Sequence, residues 1–362
     1  IYIRCHIQLS LEINYVSEQY VNFTQIIEIL LTIMILLMIV LIKLFHYKIY
    51  TKNILIGFNN YMLEYNNLCL RILDTGEVRK DRTGVGTVSV FGEKLVFNLL
   101  KGLPVVTSKK IAVITAIKEL LWMLSGSSSN NDLVLNNVHI WDEWKTEDGN
   151  LGPIYGSQWR NWISSNGSID QISLLVNGLK NNPFSRRHIL NAWNCAFIPD
   201  ETLSPQENVK LGKMCLPPCH MMAQWYVLKA TDQDKKDYLE YTQSIGEEPE
   251  NIPEYKLNCQ MYMRSNDVVL GLPFNLIGYS VLTMMLAKQC GYMPGYYHHV
   301  IGDAHIYLNH IDNLKKQLER SSYPLPYLKI LNGVDSIDNY KIDHFKLINY
   351  KHHDPIYYDV AI

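Results

Sequence analysis

Cys219 lies in the stretch Met214-Cys215-Leu216-Pro217-Pro218-Cys219-His220, and its thiol is the strongest chemical group in the chain. The two prolines deny the backbone a helix and remove two amide donors. Met221 to Leu228 then reads as a strand rich in large apolar side chains. A thiol at such a rigid strand entrance has a fixed direction. A nucleophile needs that, together with a neighbour that favours the thiolate. A free cysteine is more often simply buried, but the company this one keeps points the other way. Glu119 is set among Leu120, Leu121 and Trp122 in a helical apolar pattern from Ile111 to Leu124. A carboxyl in those surroundings is either paired or raised in pKa, and either state can do proton work. Asp81-Arg82-Thr83-Gly84-Val85-Gly86-Thr87 reads as a flexible loop whose backbone amides and Arg82 wrap an anion. Ile140–Trp144 and Gly152–Arg160 crowd aromatic residues between turn residues. That density suits a flat heteroaromatic ligand, and core packing equally well.

These groups need elements to hold them. Leu68, Leu70, Ile72 and Leu73 mark a first helix that stops at Gly76, and Val88 to Leu99 holds an alternating, half-buried strand. Ile169, Ile172, Val176 and Leu179 fall on one helical stripe. Ser185-Arg186-Arg187-His188 opens a strand through Trp193. Adjacent arginines on a strand point to opposite faces, so they serve two neighbours. Lys256 to Met263 resumes the sheet and leads to Arg264-Ser265-Asn266-Asp267. Between these strands, residues 201–213 and 230–255 are polar surface insertions, the second unusually long for a loop. Gly271–Asn275 leads into a helix from Leu276 to Gln289, and Gly302–Tyr307 starts an amphipathic helix to Arg320.

The chain's 362 residues allow one large domain or two medium ones. Its formal net charge of −2 offers no global basic field to DNA. Seven cysteines without a CxxC pair make neither a disulfide framework nor a zinc site, and fit a reducing, cytoplasmic compartment. Neither a dinucleotide fingerprint nor a P-loop is present. Residues 1–61 differ from the rest. Ile29 to Ile42 is an uncharged run of 14, only ~21 Å as a helix against a bilayer core of ~30 Å. Extending it to about 26–45 takes in Glu28 and Lys43; if that segment inserts, Lys43, Lys48 and Lys52 leave the remainder on the cytoplasmic side. Because the chain opens on Ile1 and Met62 precedes the first helix, the functional protein is expected to begin near Met62.

From about Met62 to Ile362 the order of segments resembles thymidylate synthase. The Asp81–Gly86 loop, Glu119-Leu120-Leu121-Trp122, Ile140–Trp144, Tyr155–Arg160, the Arg186-Arg187 pair, Leu216–His220, Arg264–Asp267, Gly271–Asn275 and Gly302–Tyr307 carry the likeness. It implies an α/β (α+β) fold, one large mixed sheet flanked by helices, dimerising sheet to sheet. It implies a methyltransferase that converts deoxyuridylate to thymidylate, with 5,10-methylenetetrahydrofolate giving both carbon and hydride and no metal. By that resemblance Cys219 attacks carbon 6 of uracil, Glu119 and His220 order water, Tyr155 assists loss of the carbon 5 proton, and Asn275 faces oxygen 4 and nitrogen 3. Arg82, Gln260, Arg264, Ser265 and Asp267 join the nucleotide site, with Arg186 and Arg187 arriving from the other subunit. His305 and Tyr307 hold the deoxyribose. Trp141, Trp144, Asp267, Leu270 and Gly271 line the folate site, and Ala361 with the Ile362 carboxylate closes over it. By family analogy alone, weak binding to its own messenger RNA is a further expectation. Met263 stands where most members carry Gln, which puts nucleotide affinity or the covalent step in question. A deoxyuridylate hydroxymethylase and a silent nucleotide- or RNA-binding homologue are the competing readings.

Overall fold

The computed structural model describes residues 26–35, 37–38, 62–81 and 83–360. Two compact units divide the chain, Ile1–Asn59 and Asn60–Ile362. In the first, residues 26–35 and 37–38 are helical, with apolar side chains such as Ile29, Leu30 and Met34 exposed. No helix among the described residues is long and apolar enough to cross a membrane. Residues 39–45 of the expected span lie outside the described residues.

The second unit opens with α1 (Leu63–Thr75), closed by Gly76, whose amide returns to the Ile72 carbonyl. β1 (Glu77–Arg79) and β2 (Thr87–Asn98) follow. Next come α2 (Val113–Leu124), α3 (Asn130–Leu135) and α4 (Gly156–Arg160), then the hairpin of β3 (Trp162–Ser164) and β4 (Gly167–Ile169). α5 (Gln171–Asn181) starts where the Asp170 side chain accepts from the Ser173 amide. Ile169 therefore ends the hairpin, 40% exposed, and does not share the helical stripe of Ile172 and Leu179.

β5 (Ile189–Asn191) begins after the arginine pair. Arg186 and Arg187 thus precede the strand, and the alternation expected to send them to opposite faces does not govern them. α6 (Pro205–Lys210) carries a Ser204/Glu207 capping box with Pro at its start. β6 (His220–Lys229) pairs antiparallel with β7 (Tyr255–Asp267). The long segment between them is a helix, α7 (Asp232–Ser244), and not a loop. Its signal was a second capping box, Thr231 with Asp234, hidden by the segment's polarity. Asp234 also takes a two-oxygen contact from Lys256 at 2.8 and 2.7 Å, with both side chains buried. Removing one member strands a buried charge, so Asp234→Ala is expected to cost about 3 kcal/mol in urea denaturation. Adding Lys256→Met should recover part of that loss.

α8 (Gly271–Cys290) connects β7 to β8 (Met293–Tyr307), which run parallel. The helix opens one turn before Leu276, so Asn275 lies within it. Gly302–Tyr307 forms the end of β8; the amphipathic helix that follows, α9, covers only Ile311–Leu318. Alternation of Asp303, His305 and Tyr307 was a strand signal read as a helix start. β9 (Tyr327–Ile330) and β10 (Phe345–Ile348) form a separate antiparallel pair.

The main sheet runs β1-β2-β8-β7-β6-β5, mixed because β7 and β8 are parallel while the other pairs are antiparallel. α8 packs against β7, β8 and α2 and is buried almost all round, which explains why it shows no amphipathic stripe. The opposite face of the sheet leaves Ile189, Met222, Tyr226 and Leu228 about two-fifths exposed (39–42%).

Candidate active site

The two helices meet with matching faces. Ala116, Glu119, Leu120 and Met123 of α2 oppose Asn275, Gly278, Tyr279 and Leu282 of α8, each set spaced as one side of a helix. Between them lies a cavity of about 20 Å³, also lined by Trp159, His220 and Phe274. That is room for about one water. The Glu119 carboxylate accepts a hydrogen bond from Trp141 Nε1 at 2.8 Å. Burial still prevails over that bond and pushes its pKa up to about 7. Asn275 Oδ1 is shielded and meets no donor among the described residues.

Cys219 sits at the entrance of β6, beside a register shift between His220 and Met222 that re-aims the chain. Its backbone N–H donates to the Tyr155 hydroxyl at 2.9 Å. Tyr155 itself has φ 28° and ψ −85°, a strained conformation for a side chain of its size. That backbone lays its ring flat on His220, centroids 3.9 Å apart and planes 4° from parallel. His220 Nδ1 meets the Tyr279 hydroxyl at 2.9 Å, and burial drives its pKa down to about 3, so the imidazole is neutral.

Arg264 wraps the proline turn, donating to the carbonyls of Pro218 and Pro217, both at 2.9 Å. Its Nη2 lies 3.7 Å from Cys219 Sγ, and the guanidinium stands 5.9 Å from the Trp193 ring centre. A cation beside the thiol was expected to lower its pKa. Burial outweighs Arg264 here, and the net shift is upward. The cluster of arginines expected around the sulfur is not assembled by the described residues of one chain. Arg82 lies outside them, as do Ala361 and Ile362. Arg186 and Arg187 are exposed, with no side-chain hydrogen bond or ion pair among the described residues. Nor are the loop amides free to wrap an anion. Those of Thr83, Gly84, Val85 and Gly86 are all taken up by Asp81 and Thr83.

The carboxyl ends of the parallel strands bring a polar row alongside. Ser265 pairs in register with Asp303, and Asp267 with His305. Asp303 accepts from Ser265 Oγ at 3.4 Å and meets His305 Nδ1 at 3.1 Å; burial alone would raise its carboxyl, but His305 with the Ser89 and Ser265 hydroxyls outweighs it and holds the carboxyl below the usual range. The His305 and Tyr307 rings meet edge to face, 5.3 Å between centres. Asp267 Oδ1 accepts from the amides of Val269 and Leu270, leaving Oδ2 without a hydrogen-bond donor among the described residues. Trp141 lies 5.7 Å from Trp144 and 5.9 Å from Tyr155, each edge-on. Gln260 is not part of this row. It is exposed, four residues up β7 from Arg264, ~13 Å away at the usual rise. Met263 is buried, paired in register with His220 and Ile301.

Sequence reasoning missed Asp303, Tyr279 and Trp193. Asp303 and Tyr279 follow from spacing, two residues before His305 on a strand and four after Asn275 on a helix. Trp193 gave no such signal.

A family model described as thymidylate synthase matches residues 63–362. Among curated relatives, the thymidylate synthase of Francisella philomiragia subsp. philomiragia is 44% identical over 301 residues, which is 83% of this chain and 100% of that protein. That of Francisella tularensis subsp. holarctica matches with the same identity and the same coverage. A neutral imidazole and a raised carboxyl around one cavity, with the Cys219 thiol next along the chain to that imidazole, lie within the matched residues, and the chain belongs to the thymidylate synthase family.

Proposed function

We propose that this methyltransferase converts deoxyuridylate to thymidylate, with 5,10-methylenetetrahydrofolate as the one-carbon donor. The contact between Cys219 Sγ and Arg264, one residue along the chain from the His220 that lines a cavity with Glu119 and Asn275, carries the reading. Sulfur would bond to carbon 6 of the uracil, and the displaced electron pair would move through carbon 5 onto oxygen 4. Asn275 would accept from the ring N–H through Oδ1 and donate to oxygen 4 through Nδ2, stabilising that charge as it develops. Glu119, poised near neutrality, would hold the water through which protons move, and the neutral His220 would share it. The Tyr155 hydroxyl, which accepts from the Cys219 amide, would help remove the carbon 5 proton. Arg264 and Ser265 would hold the phosphate and His305 with Tyr307 the deoxyribose.

The edge-on Trp141–Trp144 pair, Leu270, Gly271 and the free Asp267 oxygen fit a flat pteridine with N–H groups. When bound, the folate supplies the methylene carbon and the hydride that completes the methyl group. Trp141 would both border that ligand and orient Glu119. Asp359, whose carbonyl accepts from His310 Nε2 at 2.7 Å, would anchor the tail that closes the site.

The open, charge-poor face of the sheet supports a homodimer packed sheet to sheet. Arg186 and Arg187 would then complete the phosphate site of the neighbouring copy. Turnover of deoxyuridylate with the folate, followed by product mass and dihydrofolate absorbance, tests the function. Thymidylate plus dihydrofolate bears it out; a hydroxymethyl product without dihydrofolate assigns the hydroxymethylase instead.

Glu119 gives a pH test. Its folded pKa of about 7 lies above the 4.5 of an ordinary glutamate, so folding takes up a proton between these values. Burial of this group therefore costs nothing below about pH 4.5 and costs progressively more up to about pH 7. Glu119→Gln is expected to raise Tm relative to the parent above about pH 7 and not below about pH 5. The same variant should lower kcat about a hundredfold and lose the kcat/KM limb near pH 7. A limb retained by the glutamine variant would take Glu119 out of the proton path.

A further inference from the structure

The open sheet face has an ordered centre. Register places Gln224 opposite Gln260 and Gln260 opposite His298, and His298 in turn opposes Val96 on β2. A polar row thus crosses three strands, flanked by the exposed Met222, Tyr226 and Ile189. Arg264 lies on this face at its far end, turned to Cys219, and Lys94 lies at its edge opposite Val300. Among the described residues no carboxylate hydrogen-bonds or pairs with His298, and Asp234, which comes closest to its neighbours, is already held by Lys256. The groups around it are Lys94 on β2, Tyr262 on β7, Tyr296 on its own strand with ring centres 6.4 Å apart, and Lys256 over the Tyr296 ring at 5.1 Å. His298 Nδ1 is shielded and finds no partner among the described residues. An apolar-rimmed face on which no carboxylate pairs with His298 among the described residues fits a second copy of itself, since a twofold interface sets each patch against its own image.

We infer that the Gln224–Gln260–His298 row makes the sheet-to-sheet dimer acid-sensitive, because a protonated His298 covered by a second copy has no anion to pair with. This rests on the dimer reading above. Burial and Lys94 already hold the His298 pKa below 6.5 in the single chain. Covering the face lowers it further, so association is strongest where the ring is neutral and weakens as pH falls through the single-chain value. Each additional unit of depression changes the limiting dimer constant about tenfold per histidine, and a twofold dimer carries two.

Sedimentation of the full chain between about pH 8 and pH 5, across a range of concentrations, is the test, since the single-chain His298 titrates below 6.5. The parent is expected to dissociate about 10- to 100-fold more readily at the acid end. His298→Gln, which keeps the polar row and removes the titration, should give a pH-independent dimer. His298→Lys should be monomeric at both ends. A parent dimer that ignores pH, or a glutamine variant as acid-sensitive as the parent, overturns the inference and leaves the dimer standing. A parent that is monomeric at every pH and concentration sinks the dimer itself.

Discussion

Cys219→Ser is expected to lower kcat by at least about 10⁴-fold while changing deoxyuridylate affinity by no more than about threefold. The two halves of that result have separate causes. A hydroxyl holds its proton far more tightly than a thiol, and burial, which already pushes the Cys219 thiol up, opposes the oxyanion more strongly still. Arg264, 3.7 Å from the sulfur, offsets part of that cost for a diffuse thiolate. The substitution leaves the arginine bound to the carbonyls of Pro217 and Pro218, and the Tyr155 contact uses the backbone amide, not the side chain. The nucleotide-holding residues therefore stay where they are. Steady-state kinetics and equilibrium binding of deoxyuridylate read the two quantities separately. Incubation with 5-fluorodeoxyuridylate and the folate should give a covalent adduct by mass spectrometry in the parent and none in the variant. Turnover within tenfold of the parent would overturn nucleophilic catalysis by this sulfur.

The strand entrance at Cys219 was legible because proline chemistry is local. Pro217 and Pro218 fix the strand entrance whatever surrounds them, and the strand begins at His220. The α2 stripe was legible for the same reason, since its period survives without knowledge of its partner. α8 was harder. Buried against two strands and α2, it has no polar face, so its first turn passed for a loop. Gly302–Tyr307 failed because a polar alternation at the end of a buried strand resembles a helix start. α7 was hidden by composition, its cap box being the one readable sign. The anion loop illustrates another limit. Glycines and polar residues gave no hint that Asp81 would take up the amides itself. Gln260 is the converse case, a residue on the right strand and four positions from the site. Charge balance at the thiol was illegible in principle, because it depends on what is buried beside the sulfur.

Asn275→Asp is expected to shift the base preference of the site toward cytosine. The parent amide presents an acceptor and a donor side by side, with Oδ1 shielded and waiting for an N–H. Uracil offers that pattern through its ring N–H and oxygen 4. Cytosine offers the opposite one, an unprotonated ring nitrogen beside an amino group. A carboxylate would set two acceptors against uracil oxygen 4. A protonated carboxyl would donate to the cytosine nitrogen and accept from its amino group. The cavity favours the protonated form, since burial beside it already raises Glu119 to about 7, and a second carboxyl nearby raises both. Sites built around a buried hydrogen bond reject the mismatched ligand by about 10³- to 10⁴-fold. A protonated carboxyl can still serve uracil by carrying its proton on the oxygen beside oxygen 4, so kcat/KM for deoxyuridylate should fall by less than that factor while turnover of deoxycytidylate rises above the parent's. Competition between the two nucleotides, one of them isotopically labelled, gives the ratio directly. A variant that keeps the parent ratio, with an unchanged Tm showing that it is folded, would mean that Asn275 does not read the base.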